Sequence, residues 1–236
     1  MLLLVQYTLI FASVLLLVAL GGCFAEHSGV INLGLEGIMV MGALGGALMM
    51  RFAPAGISSF GMIVLVLLSA VGFGLVYSSL LAVAAINFKA DQTIVGTALN
   101  MLGTAAATVI VKAINTAANP DDVSSTIQYV NQKKAFIVNI GSFQFNWFMV
   151  IALIALAVMI FGQWKPQRIA LAALLFGLFR ALSNVYTGFA FLTALNVPST
   201  VYNMMPYIVS LLVLAFTSKT SRAPKAEGIP YDKSTR

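Results

Sequence analysis

Thr93, Thr97, Asn100, Thr104 and Thr108 follow one another at gaps of 4, 3, 4 and 4. That spacing puts side chains on one face of a helix. A row of hydroxyls around an amide offers hydrogen-bond donors and acceptors without charge. Such a stripe can border the path of a polar solute. It can equally be packing, because Thr and Asn bond neighbouring helices and Thr can bond the carbonyl one turn back. The spacing leaves both readings open. A second polar group lies upstream, in "SGVINLGLEGIMVMGALGG" from Ser28 to Gly46, where Asn32 and Glu36 stand among six glycines.

The elements that carry these residues are apolar. Of 236 residues, 60% are hydrophobic and 8% charged, against about 25% charged in soluble domains. Mean hydropathy is +0.97. Uncharged runs fill the intervals between Arg51 and Lys89, Asp91 and Lys112, Lys134 and Lys165, and Arg180 and Lys219. A spanning helix needs about 20 mostly apolar residues, so the composition implies an all-α, polytopic transmembrane helical bundle. Alternating short segments, the mark of a membrane β-barrel, are not seen. Seven hydrophobic segments are expected, at roughly 2–22, 30–50, 60–86, 93–112, 146–162, 168–190 and 200–218. One of them, the glycine-rich second, is expected to be broken, re-entrant or tightly packed. The breaks carry turn chemistry: "RFAPAG", "NFKADQ", the long polar stretch 115–144, "GQWKPQR" and "NVPST". Residues 1–218 then form a transmembrane domain, and 219–236 a basic tail.

The net charge of +6 is concentrated in that tail, at Lys219, Arg222, Lys225, Lys233 and Arg236. Lys and Arg gather on the cytoplasmic side of spans. The tail is therefore expected to be cytoplasmic, and the charge points to no nucleic acid. Counting back places Lys165, Arg168 and Lys89 inside and 115–144 outside; parity puts the N-terminus outside. One Cys and one His cannot build a zinc site or an internal disulfide framework. No GxxxxGK[ST] phosphate loop, HExxH or nucleophile elbow occurs. No enzymatic activity, cofactor or metal is expected. "LGGCFA" before Cys23 looks a little like a lipoprotein cleavage site, but Met1 to Val5 lack the basic start of a secretory signal; a first spanning helix is the expectation.

Gly34 and Gly37 bracket Glu36, and Gly42 and Gly46 form a GxxxG spacing, a helix-packing signal. Irregular backbone at this depth must face protein or water. Glu36 is read as a group at the membrane boundary, a helix-terminus ion pair or a cavity-lining carboxylate. Arg180 lies about 18 Å into its helix. It either snorkels outward or pairs with Glu36. Pro206 permits a bend in the last helix.

"GGCFAEHSGVINLGLEGIMVMGALGG" resembles the start of permease subunits of nucleoside and simple-sugar ABC importers, in the branched-chain amino acid and ribose permease superfamily. "KADQTIVGTALNML" is similar to that family's next signature. "MIFGQWKP" and "ALLFGLFRAL" resemble its C-terminal half, and "APKAEGIPY" its tail. The resemblance implies a subunit in the lipid bilayer of the cell membrane. It implies three partners: a second permease, a cytoplasmic ABC ATPase, and an extracellular or lipid-anchored binding protein. The implied substrates are nucleosides, or else simple sugars. Asn32, Glu36, Thr93, Thr97, Asn100 and Thr104 would border the substrate path; Lys89, Asp91, Lys165 and Arg168 would lie in ATPase-facing loops. Two features depart from the family. The usual stretch with an "FGLRLRAVGENP"-like cytoplasmic loop is missing between about 158 and 159. Arg180 stands where relatives more often carry a small, amide or acidic residue. A shortened, inactive or assembly-only relative, and an ATP-independent facilitator or secondary transporter, are the alternatives.

Overall fold

Among the described residues, helices lie in all seven apolar segments. They are α1 (Leu2–His27), α2 (Leu35–Phe52), α3 (Ser59–Ala82), α4 (Gln92–Ala118), α5 (Trp147–Phe161), α6 (Gln167–Val185) and, after the one-turn α7 (Ala190–Ala194), α8 (Ser199–Thr217). The computed structural model describes residues 2–54, 56–128, 132–141, 143–161 and 167–217. Among these, five helical stretches are long and apolar enough to cross a membrane: α1, α2, α3 with the π turn Val83–Asn87, α4, and Ala170–Gly188. The 15 residues described for α5 rise about 22 Å, short of a hydrocarbon core of roughly 30 Å. Lys165 and the tail 219–236 lie outside the described residues, and Arg168 enters as backbone at the start of α6.

Local chemistry sets the helix starts. Ser58 Oγ accepts from Gly61 N at 3.1 Å ahead of α3. Asp91 Oδ1 accepts from Thr93 N at 2.9 Å and Ile94 N at 3.0 Å at the start of α4. Both are side-chain N-caps. Asn146 Oδ1 accepts from Phe148 N at 2.9 Å as α5 begins. Gly34, the N-cap position of α2, has no side chain to do this, and its helix is capped from elsewhere, as described below. Pro206 sits inside α8 without ending it.

Three boundaries differ from the sequence reading. The second segment is irregular from Val30 to Gly34 and helical only from Leu35. The fourth helix runs on to Ala118, because "AINTAA" contains no breaker before Pro120. The expected loop 115–144 is correspondingly shorter, and its end is not loop. Residues Ile137–Ile140 (β1) and Phe143–Asn146 (β2) pair antiparallel, Ile137 opposite Asn146 and Ile140 opposite Phe143. Their β-branched and aromatic residues suit a pleated surface, and Gly141 supplies the positive φ of +61° at the turn.

The chain divides into two compact units. One is built on Gly22–Phe136, the other on Met1–Gly21 with Ile137–Ala223. In the first, α2 lies between α3 and α4. Gly42 and Gly46 face Ala70 and Val66, so α2 and α3 run antiparallel. Gly34 meets Gly96 and Gly37 meets Gly103, so α2 and α4 run parallel. Two apolar clusters fix this arrangement: Leu44 with Ala107 and Val111, and Tyr77 with Leu81 and Leu99. In the second unit, α1 meets α6 where Ala12 faces Gly177, with no room for a Cβ on the glycine. α6 meets α8 through Ser183 Oγ donating to Asn203 Oδ1 at 2.7 Å and through stacked Tyr186 and Tyr202 rings, 4.4 Å between centroids.

Candidate functional site

The polar stripe and the glycine-rich stretch come together at the start of α2. A Cβ on Gly37 would lie 2.5 Å from Leu99 O and 3.0 Å from Asn100 Cα; one on Gly103 would lie 2.9 Å from Gly37 Cα and O. At Gly96 it would lie 2.9 Å from Gly34 N. The two backbones therefore touch, and only glycine allows it. Gly42 and Gly46, the GxxxG pair, turn to α3 instead, as does Gly45 against the Phe73 ring.

That contact brings Asn100 within reach of the α2 terminus. Its Oδ1 accepts from Gly37 N at 2.8 Å, and its Nδ2 donates to Leu33 O at 2.6 Å. Gly37 is the third residue of α2, so its N–H has no partner within the helix. An N-cap side chain normally serves that N–H. Here the cap is supplied by α4, 63 residues along the chain. Two further bonds order the approach: Asn32 Oδ1 accepts from Gly34 N at 3.1 Å, and Gln92 Oε1 from Ile31 N at 2.7 Å. Tyr77 hydroxyl donates to Leu99 O at 2.6 Å from α3. All of the side-chain polar capacity at Asn32 and Asn100 named here is spent on backbone.

The threonines behave differently. Thr97, Thr104 and Thr108 each donate to the carbonyl four residues back, Thr93, Asn100 and Thr104, at 2.8, 3.1 and 2.8 Å. Thr93, Thr97 and Thr104 are exposed, Asn100 and Thr108 half-buried. Each hydroxyl keeps acceptor capacity on an open face. Glu36 is exposed in the first turn of α2, where a carboxylate favours the helix dipole. Lys89 and Asp91 lie at this same end. With Ile31, Ala85, Gln92 and Thr93 they line a polar cleft of about 300 Å³. Lys89 holds a positive φ of 50° after the π turn.

Sequence reasoning missed a third asparagine, beyond Asn32 and Asn100. Asn115, 2% exposed, anchors the opposite end of α2. Arg51 Nη1 donates to its Oδ1, and its Nδ2 donates to Ser124 O at 3.0 Å and Thr126 O at 3.0 Å. Fifteen residues separate Asn100 from Asn115, so α4 grips α2 at both ends. The signal was an amide late in an apolar helix, read as loop. Ser124 completes the cluster: its hydroxyl, then its N–H, hydrogen-bond the Asp122 carboxylate, and Arg51 adds a smaller attraction, all lowering the Asp122 pKa from 3.8. A lowered folded-state pKa means that the ionised form favours the folded loop. This contribution is present above about pH 3.8 and fades as pH falls through the lower folded value. Hydrogen-exchange protection of amides 122–128, corrected for intrinsic rates, should hold from pH 7 down to about 4 and fall below it. In Asp122→Asn it should be lower at pH 7 and flat across that window.

Comparison with known proteins adds the following. Residues 4–161 match the family described as the permease component of branched-chain amino acid transport systems. The chain is 30% identical to the guanosine ABC transporter permease protein NupQ of Bacillus subtilis, over 98% of this chain and 97% of the relative. It is 28% identical to the nucleoside ABC transporter permease protein NupC of Lactococcus lactis, over 96% and 95%. These alignments run over 312 and 307 positions against 236 residues here, so both relatives carry residues that this chain lacks. No solved structure gives a significant match.

Proposed function

The chain belongs to the family of branched-chain amino acid transport system permeases, and from that premise we propose that it is the membrane subunit of an ABC importer that carries nucleosides. Members of such a family move solutes and catalyse no reaction of their own. The observation that carries the reading is the match to two permeases, named for guanosine and for nucleosides, over nearly the whole of both chains. The geometry around α2 supports it. Thr93, Thr97 and Thr104 offer uncharged polar groups on an exposed face of α4, and a neutral, hydroxyl-rich solute needs such groups in place of water. Asn32, Asn100 and the glycines hold the adjoining backbone still, and Glu36 stands at its rim. We place Lys89 and Asp91, with Lys165 and Arg168, toward a cytoplasmic ATPase. A second permease and an extracellular or lipid-anchored binding protein complete the assembly in the cytoplasmic membrane, with the C-terminal tail inside.

A second reading rests on the length difference. Relatives contribute residues that this chain lacks, and we place the gap between about 158 and 159, where the family has its basic cytoplasmic loop. The chain would then be an assembly subunit without transport. Co-purification separates the two. The tagged chain is expressed with the neighbouring permease and ATPase genes, and the detergent extract is probed for the ATPase. Recovery of ATPase with both permeases supports a coupled importer; recovery of the second permease without ATPase supports the assembly subunit.

A further inference from the structure

Two pairs of adjacent glycines occur in the chain, Gly21–Gly22 and Gly45–Gly46. Packing accounts for the second: a Cβ on Gly45 would lie 2.6 Å from the Phe73 ring, and one on Gly46 3.3 Å from Val66 Cγ1. Packing does not account for the first. Nothing lies within 4 Å of a Cβ on Gly21, and the neighbour at Gly22 is the tip of a flexible side chain, Leu35 Cδ1 at 2.9 Å. Glycine is a poor helix former, yet this pair stands inside the 26-residue α1. The division between the two compact units falls at the same place: Gly21 ends Met1–Gly21, and Gly22 begins Gly22–Phe136. Each side of the pair is anchored in its own unit. Before it, Ala12 N lies 2.7 Å from where a Cβ on Gly177 of α6 would sit. After it, Val30 N donates to Ala25 O at 3.2 Å, and Gly22 faces Leu35, the first residue of α2. Among the described residues the chain passes between the units once more, from the 3₁₀ turn Gln132–Phe136 into β1. No helix has to bend there.

A helix that joins two packed bodies either ties them rigidly or bends at a weak point. Sharp helix bends occur at proline and at glycine or serine pairs, and a hinge is a few residues that absorb a change in φ and ψ. Without Cβ atoms, two successive glycines reach backbone angles closed to other residues. Alanine at Gly21 would fit the space and hold the helix better, so glycine there serves the freedom of the backbone rather than its packing. Carriers that open to one side and then the other do so largely by rocking rigid bundles. We propose that Gly21–Gly22 is a hinge in α1 about which the two compact units swing as the transporter works. The hinge rests on the geometry of α1; its tie to nucleoside uptake rests on the permease reading above.

The test compares Gly21→Ala with Gly72→Ala. Both substitutions meet nothing within 4 Å and both stiffen a helix, but Gly72 lies in α3, within one unit. Spin labels are attached through Leu68→Cys in α3 and Leu171→Cys in α6, both well exposed, on a chain with Cys23→Ala. Distances between them are read by double electron–electron resonance in the full complex in bilayers, with and without ATP. With both glycines in place, the distribution should be broad or two-peaked and should shift with ATP. Gly21→Ala should narrow it to one peak, and Gly72→Ala should leave it as it was. ATP-driven guanosine uptake should fall several-fold in Gly21→Ala alone. Matching distributions with and without Gly21→Ala overturn the hinge, and so does uptake that is the same in the two variants. A single narrow distance that ATP does not move, with both glycines in place, overturns it without any variant. Loss of the second permease from the Gly21→Ala complex also overturns it, and marks Gly21 as a close contact with that partner. Swinging distances that Gly21→Ala narrows, in a complex that takes up no nucleoside, overturn the nucleoside reading and leave the hinge standing.

Discussion

Gly37→Ala should remove most of the folded protein from the membrane. The added Cβ would sit 2.5 Å from Leu99 O and 3.0 Å from Asn100 Cα. Both are backbone atoms of α4, so no side chain can turn aside. Relief requires α2 and α4 to separate along a contact that continues through Gly103 and through Leu44, Ala107 and Val111. Overpacking costs about 1–3 kcal/mol, occasionally more. A backbone obstruction belongs at the top of that range, and separation also weakens the Gly37–Asn100 bond, worth about 1 kcal/mol. Together this is on the order of a hundredfold or more in the folding equilibrium. Gly72→Ala is the control: nothing lies within 4 Å of its Cβ, and alanine gains up to about 1 kcal/mol of helix propensity. Monodisperse yield in detergent and thermal unfolding should fall for the first and hold or rise for the second.

Asn100→Leu should impair assembly as much as transport. The substitution leaves Gly37 N–H and Leu33 C=O without the partners they have at 2.8 and 2.6 Å. Each stranded backbone group costs about 1–3 kcal/mol, or roughly 2–6 kcal/mol for the pair. Side-chain bonds between membrane helices average only about 0.6 kcal/mol, because both partners usually find substitutes. The cap of α2 has none, since its own N-cap residue is Gly34. Thr97→Val and Thr104→Val make the contrast. Their hydroxyls donate only to carbonyls of their own helix, so folding should change little, within about 0.5 kcal/mol. Nucleoside uptake should fall several-fold if these hydroxyls border the path. Equal retention of uptake and folding in the threonine variants would assign the stripe to packing and surface alone.

Most of the fold was legible because hydropathy is a strong, local signal. Seven apolar runs became seven helices, and Asp91 capped α4 at the polar loop that announced it. The hairpin at 137–146 was missed because its Ile, Val and Phe residues sat inside a segment read as polar loop, and an eight-residue alternation is weak against spans of twenty. The role of Asn100 was only half legible. Its place in a polar stripe was plain from spacing, but a stripe gives direction without partner. That its amide caps a helix 63 residues away depends on where Gly37 and Gly103 let two backbones meet. Asn115 was hidden for a similar reason, since its partners come from two separate places in the chain, Arg51 at the end of α2 and the loop residues Ser124 and Thr126. Glu36 was left between a membrane-boundary group, a helix-terminus ion pair and a cavity-lining carboxylate; its exposure at the first turn of α2 follows from the helix starting at Leu35 rather than near residue 30.

The most direct measurement is uptake of labelled guanosine into vesicles that contain this chain, the second permease and the ATPase, with the binding protein supplied and ATP present or absent. The expected result is accumulation that requires ATP and stops when the ATPase is made catalytically inactive. Uptake that proceeds equally without ATP would contradict an importer and favour a facilitator. A correctly assembled complex that accumulates no nucleoside would contradict the transport reading altogether.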